Sequence, residues 1–145
     1  VLYMSYTNNL NTHNGKIGKI GEDLAAIFLE KSGYKVLERN FRTKLGEIDM
    51  VCISSVDGKS KIHIVEVKTS MSLWVRPEEN MHAGKLRKVA RMAELYTKAN
   101  KNKTLKKVSH ETGGEDLVYS IDFVGVNLNN DGSLKDIVHL KELEI

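Results

Sequence analysis

The sequence contains one cysteine, one proline and no long apolar run, and each scarcity excludes a class of protein. Cys52 cannot form a disulfide within the chain, and one cysteine cannot build a four-cysteine zinc site, which favours a reducing compartment. The longest unbroken apolar run, residues 24–29, is far below the ~20 residues of a membrane span, and no secretory apolar segment stands at the N-terminus. With 145 residues, 41% of them apolar and 28% charged, the sequence predicts one globular domain in the cytoplasm, with no membrane partner.

Positive charge is concentrated in one stretch of the chain. Residues 80–110 hold nine Lys/Arg against Glu94 alone, a segment charge of +8, although the whole chain carries only +3. Clustered lysine and arginine are typical of a surface that binds nucleic acid, because each phosphate contact releases counterions. The charge alone is explained equally well by a solvated helix followed by a basic loop.

Hydrophobic periodicity predicts the element order αβββαββ, an α/β fold with a central mixed sheet flanked by helices. Asn14 is expected to cap the first helix, which ends at Gly33. The remaining predicted elements are strands over 34–42, 47–53 and 61–69, a helix over about 83–100, a mobile polar connection over 101–116, and strands over 117–128 and 137–143. We divide the chain into a flexible N-terminal lead-in, residues 1–14, and one domain, residues 15–145.

Charged residues interrupt two neighbouring strands that otherwise look buried on both faces. These residues are Asp49, Glu66 and Lys68, and ionised groups inside a protein are costly unless they are paired or bind a metal. A symmetric two-residue turn at Asp57-Gly58 would place Asp49 directly opposite Glu66, where two like charges repel. A divalent cation between them would remove the repulsion, and two carboxylates with retained waters suit Mg²⁺.

The same register makes a second prediction. It places Glu47 opposite Lys68, so that a cross-strand ion pair could orient the ammonium group. A bulged three-residue turn would instead shift the register by one residue. The alternative to a metal site is that Lys68 only neutralises the two acids in a structural ion-pair network.

The motifs around these residues resemble those of a known superfamily. The segments Gly46-Glu47-Ile48-Asp49 and Val65-Glu66-Val67-Lys68-Thr69 look like the Asp…Glu-x-Lys core of the PD-(D/E)XK nucleases. More narrowly, the chain resembles the YraN-like uncharacterised protein family within that superfamily. Further matching landmarks are Gly21-Glu22, Asn40-Phe41-Arg42, Pro77-Glu78-Glu79, Lys85, Tyr119 to Phe123, and Ile137 to Leu140. The sequence departs from the pattern at Ser70 and Ser120, where arginine is usual.

The resemblance implies a restriction-endonuclease-like fold, as in archaeal Holliday-junction resolvases, and metal-dependent hydrolysis of a phosphodiester. Asp49, Glu66 and the carbonyl group of Val67 are then the expected ligands of Mg²⁺ or Mn²⁺. Lys68 would position the attacking water or stabilise the developing oxyanion. By analogy with resolvases, the resemblance also implies a homodimer.

Three residues on the predicted helices complete the candidate site. Glu22 lies at the edge of a polar helix face, where it could be a third catalytic acid or a surface acid beside Lys19. Lys85 borders an apolar face and is assigned to substrate phosphate, with Lys88 in a weaker supporting role; the alternative is a lysine that snorkels to solvent. Asp122 lies in an apolar strand, where a structural role is favoured.

Together these features predict a magnesium- or manganese-dependent endonuclease that acts on DNA, including branched DNA. The alternative is a non-catalytic nucleic-acid-binding or protein-interaction module with a vestigial nuclease site. The joint presence of Asp49, Glu66 and Lys68 favours catalysis, because a pure binding module gains nothing from opposed carboxylates.

Overall fold

A computed structural model describes residues 10–71, 77–112 and 118–144. The helices are α1 (Leu10–Lys31), α2 (Pro77–Asn80) and α3 (Ala83–Thr112), and the strands are β1 (Lys35–Thr43), β2 (Gly46–Val56), β3 (Lys59–Ser70), β4 (Val118–Leu128) and β5 (Leu134–Leu140). None of the described helices combines the length and the apolar character that crossing a membrane requires.

The five strands form one mixed sheet in the order β1-β2-β3-β4-β5. The β3–β4 pair is parallel and the other three pairs are antiparallel. A parallel pair needs a crossover connection, and α2 and α3 lie within the segment that connects β3 to β4. The expectation of a central mixed sheet flanked by helices is confirmed.

Each face of the sheet packs against one long helix. Leu86, Val89 and Tyr96 of α3 belong to one buried apolar cluster, and Ala25 and Leu29 of α1 belong to another. Strand β2 contributes Val51 and Ile53 to the first cluster and Met50 and Cys52 to the second. This strand is therefore buried on both faces, as its nearly continuous apolar sequence indicated.

The β2–β3 hairpin has the predicted symmetric register. Asp57 and Gly58 have φ values of 52° and 73°, and positive φ at both central residues is the geometry of a two-residue hairpin turn. The ladder then runs from Val56 opposite Lys59 to Met50 opposite Val65. The shifted register of a three-residue turn is thereby excluded.

Two predicted helix boundaries are wrong, and the last strand runs over Leu134–Leu140 rather than over 137–143. Helix α1 begins at Leu10 rather than at Asn14, so Asn14 lies within the helix and does not cap it. Helix α3 continues to Thr112 through much of the stretch expected to be a loop, because residues 101–112 are polar but contain no proline or glycine to end a helix. Residues 1–9 lie outside the described residues, and the division into a lead-in and one domain stays a prediction.

Candidate active site

Asp49 and Glu66 lie where β2 and β3 stop pairing. Met50 and Val65 are the last paired residues at this end of the hairpin, so both acids stand one step beyond the ladder. Asp49 Oδ2 instead accepts a hydrogen bond of 2.7 Å from the backbone N–H of Val67. The predicted register thus brings the two acids to the same end of the hairpin, close enough for the Glu66 carboxylate to act on the pKa of Asp49.

The surroundings of Asp49 disfavour its negative charge. Burial raises the pKa of this carboxyl to about 7, and the neighbouring Glu66 carboxylate acts in the same direction. The hydrogen bond from Val67 and the Lys85 ammonium group oppose the shift. Asp49 consequently lies in a place where an added cation would be strongly favoured.

The cation that neutralises Glu66 is Lys85. Its Nζ atom lies 2.6 Å from Glu66 Oε1, and the side chains of the two residues are 32% and 17% exposed. Lys68, in contrast, is exposed and forms no ion pair with any of the described residues. The alternative in which Lys68 neutralises both acids is therefore wrong, because α3 supplies that charge from the other direction.

Close packing of α1 on β3 places Glu22 at the same end of the sheet. A Cβ atom built at Gly21 would lie 1.7 Å from Thr69 Oγ1, so only glycine allows the helix backbone this close. Glu22 follows Gly21 directly, and its charge contributes to raising the pKa of Asp49. The packing thus brings Glu22 to the acid cluster, which consists of Asp49, Glu66 and Glu22. The close backbone contact at Gly21 positions Glu22 there, in addition to its place on the helix face.

Glu22 has its own partners on β1. Its Oε2 atom is 3.7 Å from Arg39 Nη2, and the same Arg39 nitrogen bonds Asp23 Oδ1 at 2.7 Å. Burial raises the pKa of Glu22, while Arg39 and the Asn40 amide partly oppose that rise. This environment does not fit the alternative of a simple surface acid beside Lys19.

Asn40 is a site residue that the sequence does not single out, beyond its place in the Asn40-Phe41-Arg42 landmark. Turning the Asn40 amide group so that its nitrogen faces the two acids satisfies both of them: the nitrogen then donates to Glu47 Oε1 at 2.9 Å and to Glu22 Oε2 at 3.2 Å. Asn40 has φ of +54° in the middle of β1, a conformation that asparagine tolerates better than most residues. That asparagine, unusual within a strand, is the signal that could have identified it.

The backbone is irregular at this point. Asn40 stands across from Asp49, between the pairs Arg39–Met50 and Phe41–Ile48. Ile48 packs in the cluster beneath α3 and Met50 in the cluster beneath α1, although residues two apart in a regular strand share a face. The side chains of β2 therefore change face at Asp49. The Asp49 carboxylate no longer follows the alternation of the strand and points instead towards the end of β3, where Val67 donates to it.

The predicted ion pair between Glu47 and Lys68 is absent from the described part of the chain. Glu47 Oε2 instead lies 3.4 Å from Arg42 Nε on the neighbouring strand, because β2 has left β3 at this level and pairs only with β1. Lys88 is exposed on α3, and its Nζ atom lies 3.6 Å from the position of a Cβ at Gly46. It thus lies near the β1–β2 turn, one helical turn from Lys85.

The donor set fits a magnesium-type ion. Within the described ranges, no three His, Cys, Asp or Glu side chains are grouped to share one ion. Mg²⁺ usually takes only one or two carboxylates and keeps several waters, and Asp49, Glu66 and the Val67 carbonyl group are such a set. The half-buried Asp49, whose pKa is raised by desolvation and by Glu66, is the observation that supports this fit.

A second polar cluster lies away from these acids and is structural. The fully buried Asp122 carboxylate contacts His63 Nδ1 at 3.1 Å and His139 Nε2 at 2.9 Å. It also accepts hydrogen bonds from Ser120 Oγ at 3.0 Å and from the backbone N–H of Glu142 at 3.1 Å. All of its acceptor capacity is used inside the protein, as favoured for a structural acid.

The mixed sheet between α1 and α3, with acids where the central hairpin opens, defines the restriction-endonuclease-like class of protein folds. A family model described as uncharacterised protein family UPF0102 matches residues 21–129. The chain belongs to this family, which is part of the restriction-endonuclease-like superfamily, and the YraN-like resemblance is thereby confirmed.

Individual relatives agree with this assignment. A UPF0102 protein of Caldicellulosiruptor saccharolyticus is 35% identical over 127 residues, which cover 87% of this chain and 94% of the relative. UPF0102 protein TTE1452 of Caldanaerobacter subterraneus subsp. tengcongensis is 41% identical over 81 residues, or 55% of this chain. The chain spans 63% of that relative's length and 65% of a Fervidobacterium nodosum relative that is 38% identical.

Proposed function

We propose that this protein is a metal-dependent endonuclease that hydrolyses phosphodiester bonds of DNA, with Mg²⁺ or Mn²⁺ as its cofactor. The observation that carries the proposal is the meeting of Asp49 and Glu66 beyond the paired part of the hairpin. Burial and mutual repulsion make the ionised Asp49 unfavourable there without a further cation. A structural role alone does not require two acids in such a place.

The residues around the acids have distinct proposed roles. Asp49, Glu66 and the carbonyl group of Val67 would hold the ion. When bound, the ion lowers the pKa of water and offsets the charge that develops on the phosphate. Lys68 follows Val67 on β3, and its side chain is exposed. It would position the attacking water or stabilise the oxyanion. Glu22, held through Arg39 and Asn40, would assist as a third acid through water.

The substrate assignment rests on the basic surface of α3. The exposed side chains on this helix include Arg87, Lys88, Arg91 and Lys98. Lys85 and Lys88 extend this surface to the acid cluster and to the β1–β2 turn. Such a surface provides sequence-independent phosphate contacts, and the residues that cut the backbone would lie at its end.

Cleavage assays test the proposal directly. The protein is incubated with branched, single-stranded and duplex DNA in the presence of Mg²⁺ or Mn²⁺. Cleavage is expected, and Asp49→Asn and Lys68→Ala should each reduce its rate by about 100-fold or more, since the first removes a ligand of the ion and the second removes the cation that acts on the water or the oxyanion. Circular dichroism verifies that the variants remain folded.

Two matched variants control for the change of charge. Asp57→Asn alters the hairpin turn at the far end of β2, and Lys35→Ala removes an exposed lysine at the start of β1; both should cut as well as the parent. Equal cleavage by Asp49→Asn would contradict the catalytic assignment. DNA binding without any cleavage would favour the alternative, a nucleic-acid-binding module with a vestigial site.

A further inference from the structure

The Lys85–Glu66 ion pair joins two groups to which the proposed function gives other tasks. Glu66 is a proposed metal ligand, and Lys85 is a proposed contact of the substrate phosphate. In the structure they bind each other, with 2.6 Å between Nζ and Oε1 and less than a fifth of the Glu66 side chain exposed. Neither group can perform its task fully while this contact lasts.

The contact and a bound divalent ion compete for the Glu66 carboxylate. A divalent ion bonds carboxylate oxygen at about 2.0–2.6 Å, so on Oε1, which lies 2.6 Å from Nζ, it would stand within about 5 Å of the ammonium group. Repulsion between a double and a single positive charge at that separation is strong in a partly buried site. Binding of the ion through Oε1 therefore favours movement of Lys85 away from Glu66.

We infer that Lys85 is an exchangeable cation that couples metal binding to substrate binding, an inference that rests on the metal and phosphate sites of the proposed function. Without metal, its ammonium group neutralises Glu66. When a divalent ion takes Glu66, Lys85 is released and binds a phosphate of the DNA. Binding of either ligand thus favours binding of the other, and the coupling is reciprocal.

The position of Lys85 suits this exchange. It is the third residue of α3, where the positive end of the helix dipole also attracts a phosphate. Its flexible four-carbon side chain can move its ammonium group by several ångströms without a change in the backbone. Lys88 lies one turn further along the same helix, and no ion pair joins it to a described acid. A Lys88 variant is therefore a matched control, because it removes one positive charge from the same helix without removing an ion pair to an acid.

Calorimetric titration with Ca²⁺ tests the inference, since Ca²⁺ also prefers oxygen ligands and gel analysis can verify that the DNA stays intact. Without DNA, Lys85→Gln should bind Ca²⁺ roughly five- to ten-fold more tightly than the parent, because a competing cation is removed. Lys88→Gln, which removes the same charge from the same helix, should change the affinity by less than about two-fold.

The second half of the test measures affinity for a branched DNA with and without Ca²⁺. In the parent, Ca²⁺ should strengthen DNA binding at least about five-fold, and Lys85→Gln should lose most of this gain. Lys88→Gln removes a proposed phosphate contact, so it should bind DNA more weakly both with and without Ca²⁺, but the gain from Ca²⁺ should remain. Equal Ca²⁺ affinities for the two variants, an unchanged gain in Lys85→Gln, or no Ca²⁺ binding by any variant would each overturn the exchange.

The outcomes separate the inference from the proposed function. A parent protein that shows the coupling but never cuts DNA with Mg²⁺ or Mn²⁺ would leave the exchange standing and remove the nuclease. A protein that cuts DNA while Lys85→Gln and Lys88→Gln behave alike would keep the nuclease and remove the exchange.

Discussion

At the scale of single residues, Asp49 shows a conflict between stability and the proposed chemistry. Its pKa is raised to about 7, chiefly by burial and then by Glu66. A carboxyl group whose pKa is raised on folding destabilises the native state increasingly as pH rises from about 4 to about 7. We therefore expect Asp49→Asn, without divalent ions, to raise the free energy of unfolding by about 1–3 kcal/mol at pH 8.

Urea denaturation at pH 8 and at pH 5 provides the measurement. The gain from Asp49→Asn should shrink at pH 5, and the asparagine carbonyl group can still accept the hydrogen bond from Val67. Asp57→Asn, in an exposed turn that suits asparagine, should change stability by less than about 0.5 kcal/mol at both pH values. A loss of stability in Asp49→Asn at pH 8 would show that the buried charge is already compensated.

At the scale of elements, the contact of α1 with β3 depends on Gly21. A methyl group there would approach Thr69 Oγ1 and also its Cβ and Cγ2 atoms within 3 Å, so the helix or the strand has to shift. Gly21→Ala should lower the free energy of unfolding by about 1–3 kcal/mol and displace Glu22 from the acid cluster. Chemical denaturation measures the effect.

Gly18 offers the matched control on the same helix. No atom lies within 4 Å of a Cβ at Gly18, and alanine in a helix interior is more stable than glycine by about 0.5–1 kcal/mol. Gly18→Ala should therefore stabilise the protein. Destabilisation of equal size in both variants would mean that the close approach at Thr69 is not what limits position 21.

At the scale of the whole molecule, the Asp122 cluster connects three strands and the segment after β5. Burial alone would raise the pKa of Asp122, but hydrogen bonds from His139, His63 and the Glu142 N–H hold it well below its ordinary value. A lowered pKa stabilises the native state above about pH 4, and this contribution is lost as pH falls further. We expect cooperative acid unfolding of the sheet that begins below about pH 4.

Asp122→Asn tests this contribution. It should lower the free energy of unfolding by about 2–4 kcal/mol at pH 7, because it removes the charge that the buried donors surround. The difference from the parent should narrow towards pH 3. Ser120→Ala, which removes only one donor, should cost about 1 kcal/mol. A deficit in Asp122→Asn that is independent of pH would argue against a charge effect.

The sequence could predict the parts of the site that depend on local rules. Asp57-Gly58 determines the hairpin turn, and the register of that turn brings Asp49 and Glu66 together. The partner of Glu66 could not be predicted, since Lys85 reaches it only through the packing of α3 across the sheet. Charge alternation between strands suggested Lys68 instead.

The role of Asn40 and the length of α3 were not predicted for different reasons. Positive φ at Asn40 lies across from the point where β2 changes face at Asp49, and no periodic pattern in the sequence records that change of face. The last part of α3 is polar, and polarity alone does not distinguish a solvated helix from a loop. The fold class was predictable because the strands are buried in the sheet, and burial leaves apolar patterns in the sequence of each strand.

The parallel pairing of β3 with β4 also has a consequence for the order of folding. Strands β1, β2 and β3 are joined by connections of two residues each, so they pair with little loss of chain entropy. Strand β4 can join β3 only after residues 71–117 have been closed into a loop, and such nonlocal pairing is slow. Asp49 and Glu66 both belong to the local three-stranded unit, whereas Lys85 lies in the late-closing segment. We therefore expect folding to bring the two acids together before it delivers the lysine that neutralises one of them.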